Sequence, residues 1–202
     1  MSVIRTIDCT DGDGGWTGQG RVEAIGCVET RSIALGMEAA DAMLKAAEVE
    51  LLMSSPTCPG KYLVIVAGAV AAVRASVEAG RPVAQDSLVD YTVIPSVHPQ
   101  VVPALSALSH VEAIRALGVL ETFSMSAALR AADEAVKSAD VALMEIRLGR
   151  GLAGKAFVLI TGEVAAVRAA SAAALKTIED QALVLATTVI PSPHPDLVSK
   201  LL

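Results

Sequence analysis

The chain has 202 residues, enough for one or two small domains that each bury a core. Hydrophobic residues make up 53% of it and aromatics only 2%, so Ala, Val, Leu and Ile fill the interior, which suits flat, closely packed layers better than a large ligand cavity. The net charge of −6 comes without any block of like charge, which excludes the basic stripe that nucleic acid needs, and every long apolar run is broken before it reaches membrane-spanning length.

Residues 1–21 are rich in Gly and Asp and form an extension with little core potential. They lack the apolar centre of a secretion signal, so the chain is expected in the cytosol. Ala24–Glu29 reads as a first strand. Leu35–Ala47 reads as a helix, with Met37, Ala40, Leu44 and Ala47 on one face. Val49–Ser54 is a second strand, followed by a Pro/Gly loop over Pro56–Gly60. Tyr62–Ala67 has the continuous apolar character of a strand buried on both faces. Val70–Ala79 is a second helix that Gly80 should end. Leu88–Ile94 is a fourth strand stopped by Pro95, and a short helix after His98 closes the unit. The first domain is thus 22–105, Ser106–Arg115 is a linker, and the second domain is 116–202.

The second domain repeats the first. Gly26–Ser32 (GCVETRS) returns as Gly118–Ser124 (GVLETFS) at an offset of 92, as do Ala39-Ala40-Asp41 and Lys45 in Ala131-Ala132-Asp133 and Lys137. VAAVRA returns at an offset of 94, and VIPSVHP returns as VIPSPHP at 96. A period near 90 is too long for a solenoid and marks duplication of a whole domain. The order β-α-β-β-α-β gives an α+β fold class, two tandem ferredoxin-like (split βαβ) domains, each an antiparallel sheet with two helices on one face.

The three cysteines, Cys9, Cys27 and Cys58, are odd in number and widely spaced, which argues against a disulfide framework. Cys27, matched by Val119, reads as a small buried hydrophobe. Aligned by the shared Gly-Lys, Cys58 in the first loop matches Leu152 in the second. Duplication has therefore let one loop change without the other. His98 and His194 recur after Ile-Pro-Ser and suit turn or helix-start hydrogen bonds, and Asp41 and Asp133 read as structural. No Ser–His–Asp set, nucleotide loop or metalloprotease helix occurs, so an enzyme is not expected.

These motifs together resemble the bacterial microcompartment shell family over roughly residues 22–202: G-x-[VL]-E-T-x-S on the first strand, AADxxxK on the first helix, GK after the loop, and the VIPxxHP ending. Two units in one chain resemble the tandem-domain members, so the resemblance implies a homotrimer that imitates a hexagonal tile, located in the compartment shell among other shell proteins. The loop Thr57-Cys58-Pro59-Gly60-Lys61 is similar to that of the family's iron–sulfur subgroup from propanediol-utilising compartments. That similarity implies a 4Fe–4S cluster held at the trimer centre by one Cys58 thiolate from each chain, with encapsulated redox enzymes as possible partners. It also implies pore-lining loops made of Thr57, Cys58, Pro59 and Gly60 from one unit and Gly151, Leu152, Ala153 and Gly154 from the other. Lys45 and Lys137 take the family's edge-assembly role. The family's edge Arg is replaced by Ser96 and Ser192, a departure from the usual edge hydrogen bonds. Two other readings stay open: a tile with an open pore and no cluster, and a trimeric regulator that binds a small ligand between subunits.

Overall fold

The repeated G-x-x-E-T-x-S motif builds the start of each unit, and every fixed residue in it has a physical task. The computed structural model describes residues 22–106, 109, 111, 113–149, 151–178 and 183–201; the N-terminal extension and Cys9 lie outside them. In the first unit Gly26 sits on β1 (Ala24–Thr30) where α2 (Val70–Ala84) crosses it. A Cβ there would lie 2.6 Å from Val77 Cγ2 and 2.8 Å from Val73 Cγ1. Gly118 meets Ile160 and Val167 in the same way in the second unit. Thr30 and Thr122 each donate from Oγ1 to a Ser carbonyl, of Ser32 and Ser124, at 2.8 Å. Those serines then cap the following helices, accepting from Leu35 N (3.3 Å) and Ala127 N (3.0 Å).

The rest of the first unit is α1 (Ile33–Ala46), β2 (Glu50–Thr57), β3 (Lys61–Gly68), a 3₁₀ turn at Gln85–Ser87, β4 (Leu88–Pro95) and α3 (Val101–Leu105). The second unit is β5 (Ala116–Thr122), α4 (Met125–Ser138), β6 (Val141–Leu148), β7 (Ala156–Gly162), α5 (Val164–Lys176), β8 (Val184–Ile190) and α6 (Pro195–Leu201). The sheets are antiparallel and ordered β2-β3-β1-β4 and β6-β7-β5-β8, the split βαβ arrangement expected from the sequence. Registers match: Cys27 lies opposite Ile65 and Thr92, and Val119 opposite Leu159 and Thr188.

The first sheet is covered on both faces. Ala24, Val28, Val64 and Val66 pack with Met43, Val73 and Val77 of α1 and α2. On the other face Ile25, Cys27, Leu63 and Ile65 join one cluster with Met125, Ala128, Leu129 and Ala132 of α4, from the second unit. This explains why every residue of β1, and Tyr62–Ala67 of β3, is buried. The units are therefore one packed body joined by α4, and α3 crosses over to β6.

Two boundaries differ from expectation. Gly80 does not end α2, which runs on to Ala84. A Cβ on Gly80 would meet Met43 Cγ at 2.5 Å, so this glycine serves the crossing of α1 and α2 and not a helix stop. The expected Pro56–Gly60 loop shrinks to the turn Cys58–Gly60, because β2 continues through Pro56 to Thr57. An edge strand tolerates proline there, and β4 ends on Pro95 for the same reason. Gly26→Ala is expected to cost about 1–3 kcal/mol of stability by overpacking against α2, measurable by urea unfolding.

Candidate functional site: paired loops and the seam between units

The β2–β3 and β6–β7 connections of the two units lie side by side. Cys58 N donates to Gly149 O at 3.2 Å, and Gly60 N closes the first turn on Thr57 O at 2.9 Å. Gly149 has φ +69, and a side chain there would strike Thr57 Cβ at 2.8 Å. Gly154, also at positive φ, lies where a Cβ would be 2.8 Å from Pro59 Cδ. The structure thus brings Thr57, Cys58 and Pro59 against the second loop. Gly60 and Gly151 face open space, Ala153 is exposed and Leu152 is half-buried. Cys58 is an exposed free thiol, and the Cys58–Pro59 peptide is cis. Among the described residues, no group of three or more His, Cys, Asp or Glu within one chain could hold a metal.

Beneath the loops stands an ion pair that the sequence reading did not assemble. Lys61 Nζ lies 2.6 Å from Glu29 Oε1 and also reaches Phe123 O (3.3 Å) and Gly154 O (3.4 Å). Glu29 Oε2 accepts from Met125 N at 2.9 Å, at the start of α4. One carboxylate of the first unit therefore caps a helix of the second, which suits the positive end of that helix. The second unit repeats the pair as Lys155–Glu121 at 2.6 Å, but there it is partly exposed. The signal was present in the sequence, since Glu and Lys recur in both motifs, yet nothing in the spacing says that they meet.

Burial raises the Glu29 carboxyl above its ordinary value, and the Lys61 hydrogen bond only partly opposes this. An acid whose folded value is raised binds its proton more tightly in the folded state. Its contribution to stability therefore falls as pH rises from about 4 through the folded value. Glu29→Gln is expected to flatten that part of the stability–pH profile in urea titrations.

Lys137 lies at the outer seam between the units, whereas its counterpart Lys45 is exposed. Lys137 pairs with Asp133 at 2.5 Å and donates to Pro95 O at 3.4 Å, while Asp133 accepts from His98 N at 2.8 Å. Gln100 Oε1 accepts from Leu143 N at 2.7 Å. Lys45 pairs with Asp41 at 2.6 Å, and both are exposed. His98 and His194 accept turn hydrogen bonds at Nδ1, from Gln100 N and Asp196 N, as the sequence suggested. Burial lowers the His98 imidazole from its ordinary value. Cys27 is fully buried, and burial pushes its thiol far above the usual range.

Equivalent residues of the two units differ sharply in exposure. Ile33, Met37 and Leu44 of α1 are 39%, 53% and 40% exposed, whereas their counterparts in α4, Met125, Leu129 and Val136, are 0%, 0% and 8% exposed. Leu51 on β2 is exposed while Leu143 is buried; Leu197 on α6 is exposed while Val101 is buried. The face of the second sheet that matches the α4 seat of the first has no such helix along it; Leu117, Met144 and Leu159 are buried there with Val111, Ile114 and Leu201 packed against them. Val119, Glu121, Glu145, Arg147, Phe157 and Leu159 of the sheet, with Lys200 and Leu201 of α6, line an open groove of about 340 Å³ there. No described helix is long and apolar enough to cross a membrane.

The BMC domain matches the chain twice, over residues 24–97 and 116–193. The chain is 42% identical to the bacterial microcompartment shell protein PduT of Citrobacter freundii, covering 87% of this chain and 95% of that protein. The shell protein PduA of Citrobacter freundii is 43% identical over 83 residues, which is 41% of this chain and 86% of PduA, the length of one unit. A crystal structure of a microcompartment protein from Desulfitobacterium hafniense DCB superposes with a TM-score of 0.80 and 49% identity, covering 88% of this chain and 99% of that one. With two matched domains, each a four-stranded sheet with its helices, the chain belongs to the BMC-domain family of bacterial microcompartment shell proteins, as a tandem-domain member.

Proposed function

We propose that this shell protein is a homotrimer, a pseudo-hexameric tile whose six loops surround one axis and whose centre holds a 4Fe–4S cluster. The carrying observation is the exposure contrast between the units. Among the described residues, the outer face of α1 (Ile33, Met37 and Leu44) is exposed although its inner face packs on the first sheet, and the matching face of the second sheet carries Val111, Ile114 and the end of α6 where the first sheet carries the whole of α4. The contact already made within the chain by α4 supplies the template. Repeated between chains, it lays α1 of one copy on the β5–β8 sheet of the next. Glu121 then caps Ile33 N of that copy, as Glu29 caps Met125 N. Asp41 and Lys45 take the backbone beside Pro191 and His194, as Asp133 and Lys137 do beside Pro95 and His98. Such a head-to-tail contact generates a ring when the rotation closes, and six units close it with three chains.

In the tile, one Cys58 from each chain comes to the axis, alternating with Leu152. The thiol is exposed, Gly60 and Gly151 stand in open space, and among the described residues no group of three or more His, Cys, Asp or Glu is gathered within a chain. That donor set fits a group held by symmetry-related thiolates. A 4Fe–4S cluster supplies one-electron transfer when bound, with three thiolates from Cys58 and the fourth iron left to a small ligand. The chain itself orients the thiol through the Cys58 N–H bond to Gly149 and keeps the two loops in register through Lys61. Such a centre would supply electron transfer across the shell, or a cluster for an encapsulated redox enzyme, and the chain carries out no turnover of its own.

Lys45 and Lys137 serve the tile edge in this reading. An ammonium has three donors, and Lys137 spends two within the chain, on Asp133 and Pro95 O, leaving one for a neighbouring shell protein. The test is native mass measurement of anaerobically purified protein. Three times the chain mass of 20.7 kDa, with bound iron and concentration-dependent sheets, is the expected result. Single chains overturn the tile. Iron-free trimers leave an open pore in place of the cluster, and discrete trimers that never form sheets favour a ligand-binding regulator.

A further inference from the structure

The residues behind most polar contacts of the seat within the chain recur at the proposed second seat, but those of two side-chain pairs, Asp90–Arg130 and Cys27–Ser126, do not. In the seat within the chain, Asp90 on β4 accepts from Ser124 Oγ at 2.5 Å and lies 3.4 Å from Arg130 Nη2 on α4. Arg130 Nη1 also donates to Tyr91 O at 3.3 Å. Deeper in the same seat, Ser126 Oγ donates to Cys27 Sγ at 3.3 Å, with both residues fully buried.

At the second seat both partners of the Asp90–Arg130 and Cys27–Ser126 pairs differ, while Ser32 keeps the serine of Ser124. Ala186 stands opposite Glu121 on β8, as Asp90 stands opposite Glu29 on β4. The helix residue equivalent to Arg130 is Glu38. Val119 replaces Cys27, and Ala34 replaces Ser126. Duplication began with identical seats, so these are matched departures on facing surfaces and not drift in one place.

We propose that these matched replacements encode which helix each sheet accepts, with the β1–β4 sheet selecting α4 and the β5–β8 sheet selecting α1 of a second copy. The inference rests on the trimer reading above. The mismatched combinations each contain a fault. With α1 on the first sheet, Glu38 faces Asp90, a like-charge contact at a partly buried site. With α4 on the second sheet, the Ser126 hydroxyl is buried against Val119 with no acceptor, and Arg130 finds Ala186 in place of a carboxylate. Each fault is modest, but every wrong ring repeats it. The outcome is strict alternation of first and second units around the axis. Alternation is what keeps three copies of the Cys58 turn evenly spaced and separated by the second loop.

The test uses the full chain. One variant carries at the first seat the residues of the second: Asp90→Ala, Arg130→Glu, Cys27→Val and Ser126→Ala. After dissociation and reassembly, native mass spectrometry of wild type should give three-chain species, and the variant should give other chain numbers at about tenfold or more above the wild-type level. Reassembly of the variant into three-chain species as exclusively as wild type overturns the proposal. A second measurement is independent of the ring. Arg130→Asp should lower the thermal midpoint, and adding Asp90→Arg should restore it by reversing the pair. If the two changes simply add, the code is overturned. If wild type is a single chain the trimer reading fails instead, and the reversal pair still decides the code at the first seat.

Discussion

Met37→Glu is expected to turn the three-chain species into single chains while leaving the chain itself folded. Met37 is exposed in the chain, so a carboxylate there meets water and costs little. In the proposed ring the same carboxylate is pressed onto the apolar face of Val119, Phe157 and Leu159. Desolvating it costs about 3 kcal/mol or more per seat, roughly a hundredfold or more in each contact constant. Leu129→Glu supplies the matched contrast. Leu129 is the Met37 equivalent in α4 and is already fully buried against the first sheet. There the same charge should remove about 3 kcal/mol or more from the chain's own stability in urea. Native mass against dilution reads the first effect and urea unfolding the second. A Met37→Glu protein that stays trimeric at high dilution would refute the seat assigned to α1.

Cys58→Ser should remove the iron and the brown absorbance of anaerobically purified protein without changing the number of chains in the assembly, and its melting temperature should match that of iron-free wild type. Cluster iron requires thiolate sulfur, and a hydroxyl at three positions at once does not replace it. Expected iron falls from about four atoms per trimer to none. The Cys58 backbone N–H bond to Gly149 does not need the thiol, so stability should move by no more than about 0.5 kcal/mol from that of iron-free wild type. Leu152→Ser, at the matched position of the other loop, should keep its iron. Wild-type protein free of iron after strict exclusion of air would rule out the cluster.

The sequence makes the duplication and the element order legible, because both are local or repeated patterns. Gly26 and Gly118 recur since both must let a helix cross a strand closely, and Ser32 and Ser124 recur since both cap a helix. The seam is different in kind. α1 and α4 carry similar apolar patterns, yet one is half bare and the other almost wholly enclosed. The first sheet receives α4 from the other unit, and no window of sequence shows which helix a distant sheet takes. Cys27 and Ser126 meet across 99 residues, and Glu29 reaches Met125 across 96. Gly80 looked like a helix stop for the same reason: the Met43 side chain that explains it comes from a different helix. Pro56 looked like a loop residue because an edge position in a sheet cannot be seen from its neighbours in the chain.

The double coverage of the first sheet also sets a timetable for synthesis. All strands of that sheet have left the ribosome once Pro95 has emerged, but the face made by Ile25, Cys27, Leu63 and Ile65 must wait for Met125–Ser138. At about 5–20 residues per second, a few seconds pass during which a nascent chain shows a greasy plane to the cell. A polypeptide stopped after the first unit would keep that plane permanently, and it should be recovered with chaperones or in inclusion bodies.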